Sequence, residues 1–384
     1  MRKLILLFIL FCSVNFGFAQ EIAKVETIKI KSKALNQTRE ILIYTPQSYD
    51  ESINTYYNVI YVFDAQNREF FDYTHSLISF LSNGDKNFIV VGITSPYNEK
   101  LDYSRKTDFL PILLTENSKK RYGKYAGNAD NFQNYIRNEV FKYIESNYRT
   151  LNHKTAIGHS LGASFLIYAM LNQPDIFDNY ISISPNLEFD NQRLANGLKT
   201  FDYGRLKTNS FLFFSNADES NYWKEWAPAF DKAYNFLKDS IANKNITVLV
   251  KDFSNLSHWN SFATGLAFAF DNYFKSMYDK QQKMLSDETY EIIIRTKVPN
   301  KSDEIYITGN QDVLGNWQPN AIKMTKVSDF NREIKLQLRS PAEFKFTKGS
   351  WESEATVEHV YSKIIINLKD KKSFTFKING FNND

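Results

Sequence analysis

The five residues Gly158-His159-Ser160-Leu161-Gly162 stand between an apolar run ending at Ile157 and a helix-like run that starts at Ala163. That order describes a sharp strand-to-helix turn with a serine at its apex. Glycine two places before and two places after removes the Cβ atoms that would block so tight a turn, and a helix N-terminus favours negative charge forming beside the hydroxyl. Ser160 is therefore a candidate nucleophile. It needs a base, and the base needs a group to orient it. Of the five histidines, only His258 and His359 follow the turn with room for an acid in between. His258 comes after the strand-like residues 246–250 and a loop at 252–257, whereas His359 lies in a segment with a different strand rhythm, so His258 is the expected base. The orienting acid is expected in the loop after the strand-like residues 211–215, where Asp218 and Glu219 are adjacent. Successive residues leaving a strand point in different directions, so one of the two faces the imidazole. Glu219 is the expectation and Asp218 the alternative.

The elements that must hold these groups follow from the hydrophobic rhythm. Strand-like runs at 27–30, 40–45, 59–63, 88–93, 155–157, 180–184, 211–215 and 246–250 alternate with amphipathic helices, including 132–148 and 223–237. This is the pattern of a mostly parallel eight-stranded sheet covered on both faces. Residues 275–288 are polar and read as a helix tail. Beyond a boundary near Leu285 the rhythm changes to short alternating strands at 291–295, 304–308, 333–338, 343–347, 363–368 and 373–378, the pattern of a small all-β sandwich. The expected organisation is a leader at 1–19, an α/β domain at 20–285 and a β-sandwich at 286–384.

The leader reading rests on Met1-Arg2-Lys3, an apolar stretch from Leu4 to Cys12 and a small-x-small site at Gly17-Phe18-Ala19. These are the parts of a signal peptide, so the chain is expected to be exported, periplasmic or secreted, without stable membrane insertion. Cys12 is the single cysteine and would leave with the leader, which excludes disulfides, thiolate metal sites and a cysteine nucleophile from the mature chain. A net charge of +4, with both signs interspersed, gives no reason to expect a nucleic-acid partner. Aromatic residues make up 16% of the chain, and most are expected in cores. Trp223 and Trp226 are read first as helix-packing residues, with lining of the acyl pocket as the alternative.

Residues 40–274 resemble the putative-esterase family of α/β hydrolases, which includes siderophore, feruloyl and acetyl xylan esterases. The matching pieces are Tyr57-Asn58-Val59-Ile60-Tyr61-Val62-Phe63-Asp64, Val90-Val91-Gly92-Ile93, Ile157-Gly158-His159-Ser160-Leu161-Gly162, Ile183-Ser184-Pro185 and Ser257-His258-Trp259. The resemblance implies an α/β-hydrolase fold with Ser160 as nucleophile, His258 as base and Glu219 as acid. It also implies an oxyanion hole from the backbone N–H groups of Gln66 and Leu161. Ala65 and Ala163 stand where the family usually has glycine.

The C-terminal part resembles the starch-binding modules of carbohydrate-binding family 20, on Ile307-Thr308-Gly309-Asn310, Leu314-Gly315-Asn316-Trp317, Glu343-Phe344-Lys345-Phe346 and Trp351-Glu352-Ser353. That resemblance implies a sugar platform of Trp317 and Trp351 with a hydrogen bond from Lys345. Stacking suits the apolar face of a pyranose, and its hydroxyls need polar partners. Together the two resemblances imply a serine esterase acting, without metal or cofactor, on an ester of a carbohydrate or carbohydrate-linked acid. An α-glucan or acylated polysaccharide would be held by the second module. The alternatives are a trilactone siderophore or other small ester, for which Arg105 would attract an anionic substrate, and a non-catalytic glycan-binding protein. Acyl transfer shares the acyl-enzyme with hydrolysis and stays open beside it.

Overall fold

The computed structural model describes residues 24–82, 86–101, 103–239, 245–360, 363–369 and 371–382. The expected leader, with Cys12, lies outside them. The first unit is built on strands β1 (Lys24–Ser32), β2 (Gln37–Thr45), β3 (Tyr57–Phe63), β4 (Phe88–Ile93), β5 (Thr150–His159), β6 (Asn179–Ile183), β7 (Ser210–Ser215) and β8 (Ile246–Lys251). They form one mixed sheet in the order β1-β2-β4-β3-β5-β6-β7-β8. β1 and β2 are antiparallel, and β2 is antiparallel to β4. The other neighbours, from β4 to β8, are parallel.

The central strands are apolar at nearly every position because both faces are covered. In β3, Val59, Tyr61 and Phe63 enter one buried cluster and Ile60 and Val62 the other. The helices are α1 (Arg68–Leu81), α2 (Arg105–Phe109), α3 (Glu116–Tyr122), α4 (Ala129–Tyr135), α5 (Phe141–Asn147), α6 (Leu161–Asn172), α7 (Phe189–Thr200), α8 (Glu219–Tyr222), α9 (Ala227–Asp239), α10 (Asn260–Ser276) and α11 (Tyr278–Gln282). α1 and α10 bury Phe70, Phe71, Phe262, Leu266 and Phe270 on one face, while α4, α6, α7 and α9 cover the other.

Two expectations are corrected. The helix read at 132–148 is α4 and α5 joined by a π-helical stretch, Ile136–Val140, and the helix read at 223–237 begins only at Ala227. The polar residues 275–288 are not a continuous helix: α10 stops at Ser276, α11 is short, and residues 283–288 carry no helix.

The second unit holds β9 (Thr289–Lys297), β10 (Tyr306–Gly309), β11 (Ile322–Lys323), β12 (Thr325–Ser328), β13 (Asn331–Arg339), β14 (Ala342–Thr347), β15 (Ala355–Val357), β16 (Ile364–Ile366) and β17 (Ser373–Phe381). They form a four-stranded and a five-stranded sheet that share one apolar cluster, including Ile294, Ile307, Phe344, Phe346 and Phe376. The units are joined by main chain. Thr55 bridges Ile365 in parallel, Tyr56 N–H donates to Ile365 O at 2.9 Å, and Asn367 Nδ2 donates to Thr150 O at 3.0 Å.

Candidate active site

β5 delivers the chain to Ser160, which has φ 56° and ψ −123° and is followed at once by α6. The turn is closed on itself: a Cβ on Gly158 would lie 2.5 Å from the carbonyl carbon of Gly162. Gly158 is thus required by backbone-on-backbone contact, whereas a Cβ on Gly162 would face the Asp64 side chain. Ser160 N–H donates to Ile183 O at 3.1 Å, which ties the turn to the end of β6.

β7 ends at Ser215, and the loop after it carries Glu219 back toward the residues that follow β8. His258 Nδ1–H donates to Glu219 Oε1 at 2.9 Å, and both side chains are about nine-tenths buried. The same carboxylate accepts from the Ser184 hydroxyl and, at Oε2, from Ala217 N–H at 2.7 Å. Burial pushes the Glu219 carboxyl up, but the bonds from His258, Ser184 and the Ala217 amide outweigh it and hold the group below its ordinary value. An ionised acceptor on Nδ1 fixes the tautomer that leaves Nε2 free to take a proton. Asp218 is the N-cap of α8, and its Oδ1 is buried with no partner among the described residues, so Glu219 is the carboxylate on the imidazole.

Three residues around this pair were not marked by sequence reasoning. Ser184, at φ 54°, follows β6 directly and donates to Glu219 Oε1, the same oxygen that accepts from His258. His159 donates from Nε2 to the His258 carbonyl at 2.8 Å, its ring centroid 4.5 Å from that of His258. Burial, reinforced by neighbouring His258, lowers the His159 pKa to about 3, so the ring stays neutral. Ser261 Oγ donates to the same carbonyl at 2.7 Å. A histidine beside the nucleophile was the visible signal, but its partner lies 99 residues away. Trp223 and Trp226, expected to be helix-packing residues, stack at 4.7 Å and stand edge-on to His258 at 5.3 and 5.9 Å. They are walls of the site because the chain between Glu219 and α9 folds back over the imidazole.

The Leu161 N–H opens α6 and has no protein acceptor among the described residues, as expected for the first turn of a helix. In the loop after β3, Ala65 N–H donates to Ile93 O and Asn67 N–H to Asp64 O, both at 3.0 Å. The Gln66 N–H between them has no protein acceptor among the described residues. The positive φ of this loop, 61°, falls on Asp64, so alanine at 65 meets no conformational penalty. Ala163 is fully buried in α6. Among the described residues no hydrogen bond joins the Ser160 hydroxyl to His258, the loose geometry common in such sites before substrate tightens them. No group of three or more His, Cys, Asp or Glu able to hold a metal occurs among the described residues.

Arg105, expected to attract an anion, is instead paired with Asp64, Nε to Oδ1 at 2.8 Å and Nη2 to Oδ2. In the second unit, Trp317 and Trp351 are 37% and 39% exposed on neighbouring loops, joined where Thr347 Oγ1 donates to Pro319 O at 2.5 Å. Lys345 Nζ rests on Glu354 at 2.7 Å. His359 lies in this unit, remote in sequence from the elbow, at φ 57°.

Residues 32–340 match the family described as Putative esterase, a span that runs past Leu285 to the end of β13. Ferri-bacillibactin esterase BesA of Bacillus subtilis is 29% identical over 174 residues, which are 43% of this chain and 59% of that protein. The chain thus spans about three-fifths of that curated relative. Among solved structures, an IroE-like serine hydrolase from Shewanella oneidensis gives a TM-score of 0.55 at 26% identity, over 66% of this chain and 80% of that one. The siderophore hydrolase EstA from Aspergillus nidulans gives 0.53 at 17% identity, over 69% and 99%, a likeness of fold. A nucleophile-elbow serine, a buried imidazole–carboxylate pair and this family match lead to one conclusion: the chain belongs to the Putative esterase family and is an ester-hydrolysing enzyme with an α/β-hydrolase-like fold.

Proposed function

We propose that the protein is an exported serine esterase in which Ser160, His258 and Glu219 act as one unit. The observation that carries this reading is the buried His258–Glu219 hydrogen bond at the same sheet edge as the elbow. Ser160 Oγ attacks the acyl carbon while His258 Nε2 takes its proton, and Glu219 steadies the imidazolium. The Leu161 and Gln66 N–H groups receive the oxyanion, each worth about 3 kcal/mol in the transition state. The imidazolium then protonates the leaving alcohol, and water repeats the sequence on the acyl-enzyme. Neither step calls on a metal or cofactor.

For the substrate, the first reading is an anionic iron-chelating ester of the siderophore type. Residues 103–125, which pack along the site through Arg105–Asp64 and Arg121–Glu225, hold six Lys and Arg against two Asp and Glu, and a positive surplus remains after those two pairs are counted. Such a segment raises the local concentration of an anionic substrate. Of the similar proteins named above, one is named a ferri-bacillibactin esterase and one a siderophore hydrolase. The second reading is an ester of a carbohydrate or carbohydrate-linked acid, favoured by the exposed Trp317 and Trp351. Held on the glucan by that module, the esterase would gain effective concentration.

The test is release of p-nitrophenol from short-chain acyl esters by wild type and Ser160→Ala, with burst and steady-state phases resolved. Turnover and burst are expected in the wild type and absent from the variant; equal turnover by both overturns the assignment. Competition between an iron-loaded catecholate trilactone and an acylated glucan oligosaccharide then separates the substrate readings.

A further inference from the structure

Asp64 occupies an unusual position. It ends β3 in a left-handed conformation, is 2% exposed, and its Oδ2 lies 3.1 Å from where a Cβ on Gly162 would be. A carboxylate therefore packs against Gly162 in the first turn of α6, one residue on from the Leu161 N–H. Its Oδ1 also accepts from Gln66 Nε2 at 2.9 Å, and Gln66 Oε1 accepts from Ser95 N–H at 2.8 Å. This side-chain chain fixes the turn that presents the Gln66 N–H. An unpaired anion at that point would oppose the negative charge that forms on the substrate oxygen. Arg105, from the first residue of α2, meets both carboxylate oxygens with its guanidinium fork.

We infer that Arg105 is a positioning residue for ester hydrolysis: through Asp64 it holds the oxyanion loop in shape and cancels the negative charge beside the developing oxyanion. The inference rests on the assignment of Gln66 and Leu161 N–H as oxyanion donors. It also gives Gly162 a role, since a Cβ there would stand 3.1 Å from Asp64 Oδ2 and crowd the carboxylate. Arg105 touches no reacting atom, so its loss should spare ground-state binding and act on the transition state.

The test compares Arg105→Gln, Arg105→Lys and the double variant Asp64→Asn/Arg105→Gln on p-nitrophenyl butyrate, with Ser160→Ala alongside. Arg105→Gln is expected to lower kcat on the order of 100-fold with KM within about threefold, as for the loss of one oxyanion donor. It should also weaken binding of a boronic-acid transition-state analogue by a similar factor. The double variant, which removes the unpaired charge, should recover at least about tenfold of the lost kcat, a reversal that a merely structural role would not give. Arg105→Lys, which keeps the charge and loses only the fork, should fall less than Arg105→Gln, and if Arg105→Gln does not fold, Arg105→Met carries the same comparison of kcat, KM and analogue affinity. A kcat within threefold of wild type, or a double variant no better than the single, overturns the inference while leaving the triad standing. Turnover retained by Ser160→Ala would instead overturn the reading on which it rests.

Discussion

The catalytic edge of the large sheet and the tryptophan surface of the β module are built on opposite principles. At the first, the functional groups are buried and held by partners far away in sequence: Glu219 by His258, Ser184 and Ala217, and the His258 backbone by His159 and Ser261. At the second, two indoles stand more than a third exposed on loops, and Lys345 spends its charge on Glu354. The difference fits the roles proposed for the two surfaces. A site that stabilises a charge existing only in the transition state must be oriented before substrate arrives, whereas a stacking platform needs only flat apolar area that water leaves readily. Replacing residues at the first surface should therefore cost rate in large steps, and at the second affinity in small ones.

Ser160→Ala breaks the comparison most sharply. Its kcat on p-nitrophenyl butyrate is expected to fall on the order of 10⁴-fold or more, with α-glucan retention unchanged in a pull-down. Loss of retention in that variant would show that the two surfaces are one. Glu219→Gln comes next, with an expected fall on the order of 10³-fold, because an amide cannot stabilise the imidazolium and no longer fixes the tautomer. A pH–rate profile that keeps its wild-type acid limb at full height in Glu219→Gln would contradict the role of this carboxylate.

The pH dependence of stability should fall on the catalytic side as well. His159 has a pKa of about 3 in the folded protein, against an ordinary value of 6.5. Below pH 6.5 the unfolded chain binds a proton that the native imidazole refuses, so stability is complete above 6.5 and declines as pH falls toward 3. The loss between pH 6.5 and 4 is on the order of 3 kcal/mol. Glu219 adds a second loss, present only below its ordinary 4.5, as pH falls through its lowered folded value. Urea midpoints measured at pH 7, 5.5 and 4 should decline more steeply in the wild type than in His159→Gln. Parallel curves would remove His159 from the account.

Much of this architecture could be read from local pattern, and what could not shares a physical reason. The strand at 88–93 coincides with β4, and the runs at 59–63, 211–215 and 246–250 each fall within one residue or two of β3, β7 and β8. Strands buried on both faces advertise themselves as short apolar runs. Gly158 was legible because the contact it permits is with backbone only four residues on. The bond from Ser184 to Glu219 joins residues 35 apart, that from Arg105 to Asp64 spans 41, and that from His159 to His258 spans 99. No periodicity encodes such pairs, since sheet order decides them. The π-helical residues Ile136–Val140 were hidden for another reason: one extra residue per turn leaves the apolar spacing nearly helical.

The smallest effect belongs to the module. Trp351→Ala and Trp317→Ala are each expected to weaken α-glucan binding by roughly tenfold or less, the scale of one lost stacking contact, and to leave kcat on p-nitrophenyl butyrate within twofold. Trp317 carries an added cost: it has φ 63° and its N–H donates to Gly309 O at 3.0 Å. Alanine there keeps the bond but remains in the left-handed region, so Trp351→Ala is the cleaner probe. The module is joined to the hydrolase through Thr55–Ile365 and Asn367–Thr150, so its orientation relative to Ser160 is set by these contacts and not by a flexible tether. A fixed orientation predicts that Trp351→Ala lowers the rate on an acylated glucan more than on its short oligosaccharide, because only the polymer can reach both surfaces at once. Equal loss on both substrates would place the glycan contact at the catalytic edge. No loss on either, with glucan binding absent in the wild type, would reduce the module to a brace for the hydrolase sheet and give the siderophore reading the field.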